Sequence, residues 1–278
     1  MVDNTLYLRT VGGMGNRLVP LLMSLDGIER SGHSFALNWP TTYRKGGHRT
    51  KEQNFPLKLS HLYDVDLPII STEEWQEITQ QGLPHYGLKH TQMGVPELRG
   101  PDGRSVPFEK HAGNSFTVES HGWLNVDGEG WDAVLRMGKI YDKYLKLHAD
   151  SQEVLQGVLK KLEGRPSVGA YMRQLHPKLK EWDAYGRIAP KMREHAEEEP
   201  DTVFFIISEC RNTVRRIVDE FGEDNVVTTP KPGIMNHPEE MRGVVVDIEV
   251  MRHVGVYYPT WGSGLARLMS AIRYEEIL

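Results

Sequence analysis

The chain has 278 residues, 39% of them hydrophobic and 26% charged, which suffices for one large or two modest domains, each with its own core. A net charge of −5 gives no global electrostatic case for nucleic acid or an anionic membrane. The single Cys210 excludes an internal disulfide and fits a reducing compartment. It follows a buried-strand pattern and reads as structural. Met1-Val2-Asp3-Asn4 has neither a basic nor an apolar targeting segment, and the richest apolar run, Leu18 to Leu25, is too short to span a bilayer. The expectation is a cytoplasmic protein with no membrane span.

The chain opens with a predicted strand, Leu6 to Thr10, then the loop Val11-Gly12-Gly13-Met14-Gly15-Asn16-Arg17. Leu18, Leu21, Leu22, Leu25 and Ile28 recur at helical spacing, and Pro20 fits a helix only in its first turn. Ser31-Gly32 ends that helix, and Phe35 to Trp39 reads as a second strand, completing one βαβ unit. Residues 40 to 135 scatter Pro, Gly, His and charge among short apolar pieces. They read as loops and small helices, with no periodicity to place them.

From Ser167 a βα alternation becomes regular. A helix through Val154, Val158 and Leu162 leads into the turn Gly164-Arg165-Pro166. Four apolar strands follow, each ending in a polar motif: Arg173; Ser208-Glu209; Thr229-Pro230-Lys231-Pro232; and Pro259 to Gly264. Intervening helices make the strands parallel in one sheet, and such sheets bind ligands outside the strands' carboxyl ends. The pattern predicts an α/β protein with two Rossmann-like lobes, residues 1–150 and 151–278, and a nucleotide or nucleotide-sugar site in the second.

The motifs carry the chemistry. Arg173 offers a planar fork of donors for a phosphate, and a surface ion pair with Glu209 or Asp247 is the competing reading. Thr260, Gly262, Ser263 and Gly264 enter a helix whose amides and Ser263 hydroxyl suit an anion, although an ordinary N-cap gives the same pattern. Gly13, Gly15 and Asn16 sit in a loop that lets phosphate or sugar approach the backbone. Leu18 stands where a dinucleotide fingerprint needs glycine, which argues against NAD. Asp247 is the one acid in an apolar run and needs a partner, a ligand or solvent. Ser208 and Glu209 suit ribose or base edges. Glu181, Asp183 and His176 lie just after Arg173, where a general base for a sugar hydroxyl would sit, and sequence does not choose among them. Asp64-Val65-Asp66 lacks a preceding strand and is set aside as a metal motif. Between Lys160 and Arg193, nine Lys and Arg stand against three acids, a local basic surface around Arg173.

These residues resemble the superfamily of α1,6-, nodulation and protein O-fucosyltransferases. The likeness rests on Gly13-Met14-Gly15 after the first strand, Arg173 in Tyr171-Met172-Arg173-Gln174, Ser208-Glu209, and Asp247 followed by Thr260-Trp261-Gly262-Ser263 and Arg267. Tyr171, Gln174 and Gly262 depart from the family pattern, and the middle of the chain is unmatched. The resemblance implies a GT-B-like fold and an inverting, metal-independent enzyme with a GDP-sugar donor, GDP-fucose first, and no cofactor. It also implies Arg173 on the β-phosphate, Asp247 on the nucleotide and Ser263 on a phosphate. The acceptor would be a glycan or other hydroxyl. Alternatives are a phage-type transferase acting on modified DNA and a non-catalytic nucleotide- or sugar-binding protein.

Overall fold

The structure, a computed structural model, describes residues 4–44, 52–55, 57–90, 96–111, 113–120, 131–173, 184–232, 237–260 and 263–273. It divides into two compact units that meet in sequence at Lys146 and Leu147.

The first unit opens with β1 (Thr5–Thr10), α1 (Met14–Ser31) and β2 (Ser34–Asn38), the βαβ unit expected. β1 and β2 run parallel, with Leu6 beside Phe35 and Leu8 beside Leu37. Leu18, Leu21, Leu22 and Leu25 of α1 are fully buried, as their spacing dictates. The helix ends on Gly32, whose left-handed backbone (φ 70°) suits a residue without a Cβ. One expectation is corrected. The helix begins at Met14, because Gly12 turns at φ 102° and Gly13 serves as an extended N-cap, so Pro20 is its seventh residue and lies past the first turn. Its missing N–H removes the bond that the Asn16 carbonyl would have accepted.

The middle of this unit holds more strand than the sequence revealed. Thr42–Arg44 (β3) pairs antiparallel with Glu52–Asn54 (β4). Then come β5 (Tyr63–Asp64), β6 (Ile69–Ile70), α2 (Thr72–Gln80), β7 (His85–His90), β8 (Pro96–Arg99), β9 (Ser105–Pro107), β10 (Phe116–Ser120) and α3 (Trp131–Tyr144). The main sheet has the order β6-β2-β1-β10-β7-β8-β9, parallel from β6 to β7 and antiparallel beyond. Its central β10 was missed because five residues, Phe-Thr-Val-Glu-Ser, are too few to show a period.

β11 (Lys146–Leu147) leads into the second unit: α4 (Ala149–Leu162), β12 (Ser167–Tyr171), α5 (Ala184–Glu198), β13 (Val203–Ile207), α6 (Arg211–Phe221), β14 (Val226–Val227), α7 (Pro238–Val250), β15 (Val256–Tyr258) and α8 (Gly264–Arg273). The sheet order is β14-β13-β12-β15, all parallel. Every residue of β13 is buried, which explains its unbroken Val-Phe-Phe-Ile-Ile. Val168, Ala170, Phe204 and Ile206 pack with Ile188 and Met192 of α5 and Ile217 of α6. At Gly169 a Cβ would come within 2.4 Å of the Met251 sulfur, so glycine lets the chain after α7 close onto β12. The order places β13 and β14 on one side of β12 and β15 on the other, which puts the topological switch point between β12 and β15.

Candidate nucleotide site

The residues following β12 and β15 therefore flank the crevice where doubly wound sheets bind ligands. Three hydroxyls frame it. Thr260 accepts the N–H of Arg173 at 2.9 Å and donates to the carbonyl of Tyr171, joining the ends of β15 and β12. Ser208 donates to the Met172 carbonyl at 2.9 Å and accepts the N–H of Cys210 at 3.2 Å, joining β13 to β12. Ser263 is 2% exposed and accepts the Ala266 N–H at 3.4 Å, so it is the N-cap of α8. Burial pushes the Tyr171 phenol up and keeps it protonated, and it meets the Ser263 hydroxyl at 3.3 Å. These serines and this threonine are committed to the frame. Among the described residues at this edge, the amides at the start of α8 remain for a ligand beside Arg173, and there the helix dipole attracts an anion.

Arg173 stands at the rim, with its side chain 40% exposed and its Nε 3.3 Å from Glu209, itself 57% exposed. So exposed a pair is worth at most about 1 kcal/mol, so Arg173 can exchange Glu209 for a phosphate at little cost. The two readings of Arg173 from sequence are thus compatible.

Asp247 corrects the sequence reading. It neither orders Arg173 nor faces solvent: it is fully buried in α7 and paired with Lys231. Burial pushes its carboxyl up, and Lys231 and the nearby Thr229 hydroxyl pull it partly back. Sequence reasoning noticed Lys231 in its motif and left it out of the site. Two signals could have found it. An acid in an apolar run needs a buried cation, and Gly243, one turn before Asp247, leaves room for a side chain to cross the helix. A Cβ at Gly243 would lie 2.6 Å from Lys231 Cγ.

Lys231, Asp247, Ser208 and Glu209 line one cavity of about 600 Å³, walled by α6 and α7. Its faces are the apolar side chains of Val214, Val218, Met241 and Val244. Apolar walls with a few polar groups at the margin suit a planar ring system.

In the first unit, Gly13 and Gly15 open α1, whose first turn holds no acid and whose N-cap makes no side-chain bond, and the Asn16 side chain folds beside Gly12. Arg17, which sequence reasoning passed over, is fully buried. It donates to the carbonyls of Gly12 at 2.9 Å and Pro40 at 2.8 Å, with its guanidinium 4.1 Å from the Phe55 ring centre. It fixes the shape of the glycine loop. Glu181, Asp183, His176 and Gly262 lie outside the described residues. Cys210 is half-exposed at the start of α6, because the chain turns outward at Ser208, and hydrogen bonds at Thr213 lower its thiol. Among the described residues, none of the helices is long and apolar enough to cross a membrane, and no group of three or more His, Cys, Asp or Glu is arranged to hold a metal.

The fold has known counterparts. Superposition on the fucosyltransferase NodZ from Bradyrhizobium gives a TM-score of 0.62 over 97% of this chain and 92% of that one, at 14% identity. A NodZ α1,6-fucosyltransferase soaked with GDP-fucose gives 0.60 over 98% and 93%, at 12% identity. POFUT1 in complex with GDP-fucose gives 0.57 over 98% and 94%, at 10% identity. The chain has the fold of these GT-B fucosyltransferases. No protein-family model and no curated protein sequence matches it. The likeness covers nearly the whole chain, well beyond the stretches matched by the motifs.

Proposed function

We propose that the protein is a glycosyltransferase that moves a sugar, fucose in the first instance, from a GDP-sugar to an acceptor hydroxyl, with inversion and without a metal ion. The observation that carries this reading is the convergence of Arg173 and the start of α8 on the switch point of the second sheet, beside a cavity of ≈ 600 Å³. The fold agrees with it. The second unit would hold the nucleotide-sugar and the first the acceptor, a glycan or another hydroxyl compound.

In this reading the acceptor oxygen attacks the anomeric carbon as the bond from that carbon to the β-phosphate oxygen breaks. The bonding pair leaves with GDP, and the hydroxyl proton passes to a base. Charge develops on the departing diphosphate, where Arg173 and the α8 amides stabilise it. An arginine and a helix N-terminus supply the positive field that a metal provides elsewhere.

The test is thermal-shift binding of GDP, UDP, ADP, NAD and S-adenosylhomocysteine, with and without EDTA, followed by release of GDP from GDP-fucose in the presence of glycan acceptors. GDP-selective stabilisation that survives EDTA and disappears in Arg173→Ala supports the reading. Selective binding of another nucleotide would overturn it, and GDP binding without turnover on any acceptor would favour a binding protein.

A further inference from the structure

Helix α7 lines two cavities with two stripes at helical spacing. Met241, Val244 and Asp247 line the one described above. Glu239, Arg242 and Val246 line a second, of about 280 Å³, completed by Asp150, Ser151 and Val154 of α4 and by Pro230. Two polar groups on its walls lack partners. Ser151 is 1% exposed, and its hydroxyl has no hydrogen-bond partner among the described residues. The Nε of Arg242 is buried and equally without one. Arg242 Nη2 lies 3.8 Å from Asp150 Oδ2, an ion pair too long to be a hydrogen bond. The helix starts are not what the cavity offers, because the N–H groups of Asp150 and Glu239 already meet the ring nitrogens of His148 and His237. A buried hydroxyl and a buried guanidinium N–H without partners are costly, and here both border one cavity.

We propose that this cavity between α4 and α7 is a carbohydrate subsite that takes one neutral sugar ring. The proposal goes beyond the glycosyltransferase reading and does not depend on GDP binding. Ser151 can donate and accept, Arg242 Nε can only donate, and the carboxylates of Asp150 and Glu239 can only accept. A sugar hydroxyl is donor and acceptor at once, so neighbouring hydroxyls on one ring answer all of these groups. The C–H face of the ring suits Val154, Val246 and Pro230. Other classes answer only part of the lining. An inorganic anion meets Arg242 but also two carboxylates. A polyamine meets the carboxylates and leaves Arg242 Nε without an acceptor, and a hydrocarbon leaves both Ser151 and Arg242 unmet. The volume lies below the ~300–1,000 Å³ of sites for drug-sized ligands, which suits a single ring. Asp150, Val154, Pro230 and Glu239 are exposed, so the ring is either a free monosaccharide or one unit of a longer glycan.

The test is isothermal titration of the whole protein with fucose, mannose, galactose, glucose and N-acetylglucosamine, and with glycan fragments that contain them. At least one sugar binds, with a Kd on the order of 1 mM for a single ring. Ser151→Ala and Arg242→Met each weaken that sugar about three- to tenfold. Their urea midpoints do not fall, because each change removes a polar group that has no partner to lose. Midpoints that fall together with the affinity would make both residues structural and overturn the assignment. Val154→Trp, at an exposed position, fills the cavity mouth and abolishes sugar binding while the protein stays folded. Binding survives Arg173→Ala, which separates this cavity from the nucleotide site. A fragment that binds more tightly than its single ring identifies a unit of a longer glycan as the ligand, and equal affinities identify the free sugar. Sugar binding that persists in Val154→Trp or disappears in Arg173→Ala overturns the proposal. So does a protein that binds none of these sugars, or that binds inorganic phosphate or spermidine here in their place.

Discussion

The hydroxyl of Thr260 accepts the backbone N–H of Arg173 at 2.9 Å and donates to the carbonyl of Tyr171. One buried side chain thus ties the end of β15 to the residue proposed to bind phosphate. Thr260→Val keeps the volume and removes both bonds. The expected cost is about 1–3 kcal/mol of stability, read as a lower urea midpoint. GDP-induced stabilisation should shrink as well. An unchanged midpoint would show that the tie is not needed.

Arg173 and Glu209 separate stability from binding. Their pair is exposed, so Arg173→Ala should change stability by less than about 1 kcal/mol. The same change should abolish the GDP shift. Glu209→Gln frees the guanidinium, and GDP should then bind at least as tightly as to wild type. Isothermal titration of the three proteins checks both statements, and weaker GDP binding to Glu209→Gln would show that Glu209 contacts the ligand.

Gly243 offers a case where the usual sign reverses. Glycine to alanine inside a helix normally gains up to about 1 kcal/mol. Here the new methyl would lie 2.6 Å from Lys231 Cγ, on a stem anchored by Asp247. Gly243→Ala should lower the melting temperature, and it should regain stability when Lys231 is also replaced by alanine. A stabilised single variant would refute the close packing.

Asp247 gives a pH dependence of defined sign. Its folded pKa is raised, chiefly by burial, above the ordinary carboxyl value. Between the unfolded and the folded value the native state keeps a proton that the unfolded chain has released. Its contribution is therefore complete below the unfolded value and is lost as pH rises through the folded one. Urea midpoints measured from about pH 3.5 upward should show wild type losing stability relative to Asp247→Asn as pH rises. The opposite slope would mean that Lys231 outweighs burial.

Local pattern is enough to set the repeating architecture of the second unit and the edge at which its polar motifs gather. Val203 to Ile207 can only be a strand buried on both faces, and a parallel sheet brings Arg173, Ser208 and Thr260 to one edge whatever the details. Local pattern sufficed there because period and length act within a single element. Tertiary structure decided what that edge does. The hydroxyls of Ser208, Thr260 and Ser263 were legible as polar residues at strand and helix ends, but whether they face a ligand or the frame depends on carbonyls and amides brought up from neighbouring strands. Lys231 and Asp247 are sixteen residues apart and meet only because Gly243 opens α7 between them. Arg17 was hidden for the same reason, since its partner at Pro40 arrives from beyond β2. Periodicity records which face of an element is buried. The partner of a buried charge is fixed only when separate elements close on one another.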